Sequence, residues 1–225
     1  MLILAVNAGS SSLKISVYRR SNPVTLILSS SISNINSPLA NLSWSNNPLS
    51  IQHHASAFAI FIDYLNHDHD IDCSNIKLIC HRVVHGGNYT QPVIINQQSY
   101  HHIETLSDLA PLYLLFLSSH PSHPFPFSRH NGAALSVIKA CIDDLPSATN
   151  IAYFDTSFHT SIPPHIANYP IDQSIARQRG LKKYGFHGLS CTSLTLFLSS
   201  IQLDSFRRIH PPLNIPIPPK TTLIP

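Results

Sequence analysis

The chain opens with two apolar runs around a polar knot. Leu2 to Val6 is apolar, Asn7 to Ser12 is a cluster of small polar residues, and Leu13 to Tyr18 returns with alternating character. Alternation with period two marks a strand with one buried face, so this stretch predicts a β-hairpin closed by a small-residue loop. From Ser29 to Ser50, Ser, Asn and Pro dominate, which predicts loops and weak strands. Ile51, Phe58, Ile62 and Leu65 share one helical face. Ile76 to Cys80 reads as a buried strand, with His81 to Gly87 as a loop beyond it. Gln97 to Ala110 predicts a second helix, and Leu135, Ile138, Ile142 and Leu145 mark a third. Asn150 to Phe154 is a strand candidate ending at Asp155. Asp172 is placed to cap a short helix through Arg179. Strands alternating with helices predict an α/β domain.

Two stretches break the pattern. Tyr113 to Arg129 carries three prolines and a single charge, and Cys191 to Pro225 ends in a proline-spaced run. Neither keeps a helical or strand period, and both are expected to be irregular or disordered.

Composition narrows the function classes. Charged residues make up 11% of the 225, against about 25% in ordinary soluble domains, which predicts poor solubility for the isolated chain. A net charge of +3 without a Lys/Arg run builds no nucleic-acid footprint. The 15 histidines are scattered. The pairs His53-His54 and His101-His102 point to different faces, so no histidine metal site is expected. None of the 4 cysteines forms a C-x-x-C pair, and free thiols in a reducing compartment are expected. No run is long enough to span a bilayer, and the apolar start is too short for a signal sequence. A cytoplasmic protein without a nucleic-acid or membrane partner is the expectation.

Four clusters carry candidate chemistry. Asn7-Ala8-Gly9-Ser10-Ser11-Ser12-Leu13-Lys14 offers backbone N–H groups, hydroxyls and one cation to an anion. It is not a Walker A loop, because the second glycine, the G-K-[ST] ending and the following helix are missing. Arg82, in His81-Arg82-Val83-Val84-His85-Gly86-Gly87, sits near a strand's carboxyl end, where open α/β sheets bind ligands. Its fork matches a carboxylate. Asp155 ends another strand. His187 lies between Gly185 and Gly188, which allow close backbone approach. Taken singly, each cluster is equally consistent with an ordinary turn or a structural polar residue.

In order, NAGSSSLK (7–14), HRVVHGG (81–87), LAPL (109–112), FDTSFH (154–159) and YGFHG (184–188) resemble the acetate kinase family. That family belongs to the acetate and sugar kinase, heat-shock ATPase and actin superfamily. The resemblance implies an α/β fold with a ribonuclease H-like, actin-like ATPase N-terminal domain and a mixed sheet. It implies transfer of the γ-phosphoryl of ATP to acetate or a similar carboxylate, with Mg²⁺. Asn7 would help hold the metal shell, and Ser10, Ser12 and Lys14 would line the phosphate path. Arg82 would bind the acceptor carboxylate, and Val84, Leu112 and Phe186 would pocket its methyl group. Asp155 matches the family's catalytic aspartate. His187 would stabilise the transferring phosphoryl group, and His130 completes a motif split after Leu112. The acceptor titrates at roughly pH 4 and is already a carboxylate at pH 7. No general base is needed, so Asp155 is expected to orient its neighbours.

The family continues well beyond this length, with a later arginine, a metal-binding glutamate and adenosine loops. The resemblance therefore implies an N-terminal ribonuclease H-like domain over 1–155, interrupted at 113–129. It implies the start of a second domain over 156–190 and an aberrant or disordered tail over 191–225. The expected activity of this chain is impaired or absent. The alternative is a non-catalytic truncated paralogue, or a gene-model fragment, that binds only phosphate or a partner. Family members are commonly homodimers.

Overall fold

A computed structural model describes residues 1–107 and 131–200. Tyr113 to Arg129, Leu112, His130 and the run after Ser200 lie outside the described residues.

The hairpin forms as its alternation predicts. β1 (Leu2–Ala8) pairs antiparallel with β2 (Ser12–Arg19). β3 (Thr25–Ser33) then pairs antiparallel with β2, followed by β4 (Ala40–Leu42) and β5 (Ser45–Leu49). Ser29 to Ser33, read from sequence as part of a loop-rich region, is therefore the end of a nine-residue strand. Serines gave no hydrophobic period, and pairing with β2 supplies the order that propensity lacks.

α1 (His54–Asp68) buries Ala57, Phe58, Phe61 and Leu65, the i, i+1, i+4, i+8 stripe of an amphipathic helix. Ile51 precedes the helix. β6 (Ile76–Val83) is longer than predicted, because His81 and Arg82 continue the strand. The strand's inward positions are Ile79, His81 and Val83, and the buried His81 ring donates from Nε2 to Asn150 Oδ1 at 2.8 Å. A polar residue at a buried position hides a strand from a hydrophobicity reading.

β7 (Val93–Ile94) is a short edge strand, and α2 (Gln97–Leu106) starts at a reciprocal cap between Asn96 and Ser99. α3 (Gly132–Asp144) buries Ala134, Leu135, Val137, Ile138 and Cys141. Ile142 is 41% exposed, so the buried stripe is rotated from the predicted one. β8 (Thr149–Phe154) runs parallel to β6. A tight turn, Asp155–His159, follows. The short helices α4 (Pro164–Ala167) and α5 (Gln173–Arg179) come next, with α5 capped by Asp172 as expected. α6 (Gly188–Ser200) ends the described chain. Residues 191–200 are thus helical, although they show no helical period in the sequence.

The eight strands lie in the order β5-β4-β3-β2-β1-β6-β8-β7. β1, β6 and β8 are mutually parallel and all end at one edge. α1 and α3 cover one face, against Leu4, Val6, Ile79, Ala152 and Phe154. Among the described residues, no helix is long and apolar enough to cross a membrane.

Candidate active site

Strand register decides what meets at the carboxyl edge. Asn7 on β1 lies opposite Lys14 on β2 and opposite Arg82 on β6. Arg82 lies opposite Tyr153 on β8. Registered neighbours share a sheet face. Lys14, Asn7, Arg82 and Tyr153 therefore form a row across four strands, on the face away from α1 and α3.

Arg82 is the centre of that row. Its Nε and Nη2 donate to Asp155 Oδ2 at 3.0 and 2.6 Å, and its Nη1 donates to Asn7 Oδ1 at 3.1 Å. Asp155 is 1% exposed and the Arg82 side chain 26%. The other carboxylate oxygen, Oδ1, accepts from Leu189 N–H at 3.3 Å. These contacts use three of the five guanidinium donors. The remaining two lie on Nη1 and Nη2, on the partly exposed side chain.

The loop after β6 is locked by residues to which the motifs assigned no role. Asn131 is fully buried. Its Oδ1 accepts from His85 N–H at 3.0 Å, while its Nδ2 donates to His85 O at 2.9 Å and to Ile103 O at 3.3 Å. An Asn ahead of a helix suggests an N-cap, but this side chain makes no cap bond to α3. Gly86 N–H donates to Thr156 Oγ1 at 3.0 Å. A side chain at Gly86 would collide with the Phe154 ring, so only glycine fits there.

Val84 is half-buried in this loop. The His85 ring packs 4.4 Å from Tyr184 and 6.0 Å from Phe186. The loop after β6 and the segment bearing Phe186 therefore meet through His85, with Phe186 45% exposed. The segment is also tied to the Asp155 turn: His159 Nε2 donates to Phe186 O at 2.8 Å, and Gly188 packs against the Asp155 backbone. His187 is exposed, with φ at 58°, a left-handed conformation uncommon for a residue with a Cβ. Among the described residues, no hydrogen bond joins its ring to the Arg82 cluster.

On the other side, Ser10 and Lys14 are exposed and Ser12 is half-buried. The β1–β2 loop is held by its backbone. Gly9 N–H donates to Ser12 O at 2.8 Å, Ile35 N–H to Ser11 O at 3.0 Å, and His54 Nε2 to Gly9 O at 2.7 Å. The oxygens available to a divalent cation are Asn7 Oδ1 and the Asp155 carboxylate, both of the hard type Mg²⁺ takes. Arg82 already donates to each. They fit an ion held through its own waters and substrate phosphates.

The architecture defines the class first. A propionate kinase from Francisella tularensis superposes with a TM-score of 0.70 at 27% identity, covering 89% of this chain and 48% of that one. An acetate kinase from Entamoeba histolytica gives 0.63 at 25% identity, covering 89% and 46%. The fold is the actin-like ATPase fold of these kinases, in its N-terminal part.

The chain belongs to the acetokinase family, whose sequence model matches residues 2–201. A probable acetate kinase from Chaetomium globosum is 39% identical over an alignment of 211 positions that covers 86% of this chain and 42% of that protein. The acetate kinase of Borreliella burgdorferi is 34% identical over 224 residues, 93% of this chain and 51% of that protein. The chain thus spans about half the length of the relatives it matches. The family match also continues past Ser190, through α6, where the short motifs end.

Proposed function

We propose that this chain carries the acceptor- and phosphate-facing side of an ATP-dependent phosphotransferase. The reaction moves the γ-phosphoryl of ATP onto a small carboxylate, acetate in the first instance, and gives ADP and an acyl phosphate. The observation that carries this reading is Arg82, fixed between Asn7 and Asp155 at the shared end of three parallel strands. Its remaining N–H groups offer a bidentate seat for the acceptor carboxylate. Asp155 serves by holding that guanidinium still, and no proton needs to be taken from an acceptor already ionised at neutral pH.

A carboxylate oxygen then attacks the γ-phosphorus in line. The new P–O bond forms as the bond to ADP breaks, and the electron pair leaves on ADP. Such a transfer depends on positioning and on cations around the equatorial oxygens. Lys14, two strands from Arg82 in the same row, supplies one cation, and Ser10 and Ser12 line the path. His187 reaches the transferring group once substrate is bound. Val84 and Phe186 form the wall that meets the acceptor's methyl group. Asn7, with Asp155 beside it on Arg82, would help hold Mg²⁺, which when bound would offset charge on the phosphates.

Acetate, propionate and butyrate differ by single methylenes, each worth roughly 1–3 kcal/mol in such a pocket. We take residues after about Asp155 to begin a second domain. We place the reaction in the cytoplasm, where ATP is the donor. The 225-residue chain on its own should turn over far more slowly than a relative of twice its length.

The test is acyl phosphate, trapped as hydroxamate, from purified chain with Mg²⁺, ATP and each acid. It is read beside Arg82→Ala and beside acetate-induced changes in the Arg82 Nε resonance. Slow product formation abolished by Arg82→Ala supports the reading. Acetate binding at Arg82 without product would leave a non-catalytic acceptor half and overturn the transfer reaction. Neither product nor binding, or product indifferent to Arg82→Ala, would overturn it.

A further inference from the structure

The β1–β2 loop is gripped from inside the fold by a histidine that none of the motifs contains. His54 is the first residue of α1 and is 7% exposed. Its Nε2 lies 2.7 Å from Gly9 O. A carbonyl oxygen can only accept, so Nε2 carries the hydrogen. Burial lowers the His54 pKa below its ordinary value, which favours the neutral ring with its proton on Nε2 at pH 7.

The consequence follows from peptide geometry. A trans peptide is planar, and its C=O and N–H point in opposite directions. Turning the Gly9 carbonyl toward His54 therefore turns the Ser10 N–H away from α1, on a loop whose Ser10 and Ser11 are exposed. The neighbouring groups cannot let the peptide rotate easily, because Gly9 N–H and Ser11 O are held as well. Among the described residues, Ser10 N–H meets no acceptor.

We propose that His54 is a positioning residue for phosphate binding: by anchoring the Gly9 carbonyl, it aims the Ser10 peptide N–H at a phosphate oxygen of the nucleotide. This rests on the reading of the loop as the phosphate site. It goes beyond that reading in giving the contact to a backbone donor and its control to α1. The exposed hydroxyls and Lys14 can follow the ligand, but the peptide direction is set beforehand.

The experiment uses the full ¹⁵N-labelled chain as wild type, His54→Ala and His54→Gln, with sodium triphosphate as probe. The Gln side chain places an amide N–H near the lost Nε2–H. The Ser10 amide resonance should move in His54→Ala without ligand and return in His54→Gln. Amides of β6 and β8 should stay in place throughout. Triphosphate should shift the wild-type Ser10 amide, with affinity about tenfold weaker in His54→Ala and mostly restored by His54→Gln.

Equal triphosphate affinity in wild type and His54→Ala overturns the role of His54 and leaves the loop as the phosphate site. Loss in both variants, with β6 and β8 amides displaced, makes His54 a stability residue only and also overturns it. If triphosphate moves no loop amide in the wild type, the phosphate reading falls, and this proposal with it, even where His54→Ala still moves the unliganded Ser10.

Discussion

The two ends of the Lys14–Asn7–Arg82 row are built on different plans. At the Arg82 end the charged groups are locked to one another, with Asp155 buried and the guanidinium held by three hydrogen bonds. At the Lys14 end Lys14, Ser10 and Ser11 are exposed and Ser12 is half-buried, and the Gly9–Ser12 loop is held through its backbone. The difference matches the ligands proposed for each end. A small carboxylate makes few contacts, so its site gains by being ordered before binding. A triphosphate carries enough charge to draw a lysine and hydroxyls into place, provided that the loop beneath them keeps its shape.

The strongest way to break this contrast is to remove Asp155. Asp155→Ala leaves Arg82 without its charged partner. Arg82 is partly exposed, so the cost falls at the low end for a broken buried pair, about 3 kcal/mol. Acyl phosphate formation should fall by at least about 10²-fold, because a guanidinium that swings loses the acceptor geometry. Asp155→Asn keeps an oxygen acceptor and should lose less stability. Urea midpoints and the hydroxamate assay read both. An Asp155→Ala chain as stable as wild type would mean that the Arg82 end is not held by this pair.

Acid probes what lies under the two ends. His81 sits on the covered face of β6, next to Arg82 in sequence, and burial pushes its pKa down to about 4. His54, under the loop, is lowered by burial too. An unfolded histidine takes up a proton near pH 6.5 while the folded one resists, so protonation favours the unfolded chain in this window. The stability present above pH 6.5 is lost progressively as pH falls toward 4. Between pH 7 and pH 5, His81 should cost about 2 kcal/mol, at about 1.4 kcal/mol per pH unit. Urea midpoints against pH should fall on this acid limb, and His81→Gln should flatten it. A limb unchanged by His81→Gln would place the acid sensitivity elsewhere.

How much of this was legible in the sequence differs between the same two ends. The hairpin, its small-residue loop and the strand ending at Asp155 could be read, because alternation and small-residue clusters are local signals. The outer half of β6 could not, because His81 and Arg82 look like loop residues until Asn150 and Asp155 meet them across the sheet. The same holds for Asn131, Thr156 and His54, whose partners lie 46, 70 and 45 residues away. The stripe on α3 was misplaced at Ile142 since an isoleucine on a helix can face either way until its neighbour is known. In α6, Ser, Thr and Leu mask any period, and its docking on the Asp155 turn supplies the order.

A smaller effect sharpens the Arg82 end. Gly86→Ala would press a methyl into the Phe154 ring, itself 1% exposed. Overpacking of this kind costs about 1–3 kcal/mol. The loop should yield before the sheet does, so acetate affinity should drop while triphosphate affinity holds. Both are read by titration of one labelled sample, and equal losses at the two ends would mean that they are mechanically one unit.

Lys14→Ala should change stability least. The side chain is exposed and stands outside the described ion pairs, so the urea midpoint should correspond to a change within about 0.5 kcal/mol. Its effect belongs to the ligand. Triphosphate affinity should weaken several-fold at low salt, and the gap to wild type should narrow as ionic strength rises toward 1 M, where screening shortens to about 3 Å. Arg82 should be indifferent: acetate affinity in Lys14→Ala should stay at the wild-type value, because the guanidinium is held by Asn7 and Asp155. If acetate affinity falls with triphosphate affinity, charge at one end of the row reaches the other, and the separation into a locked acceptor end and an adaptable phosphate end no longer holds.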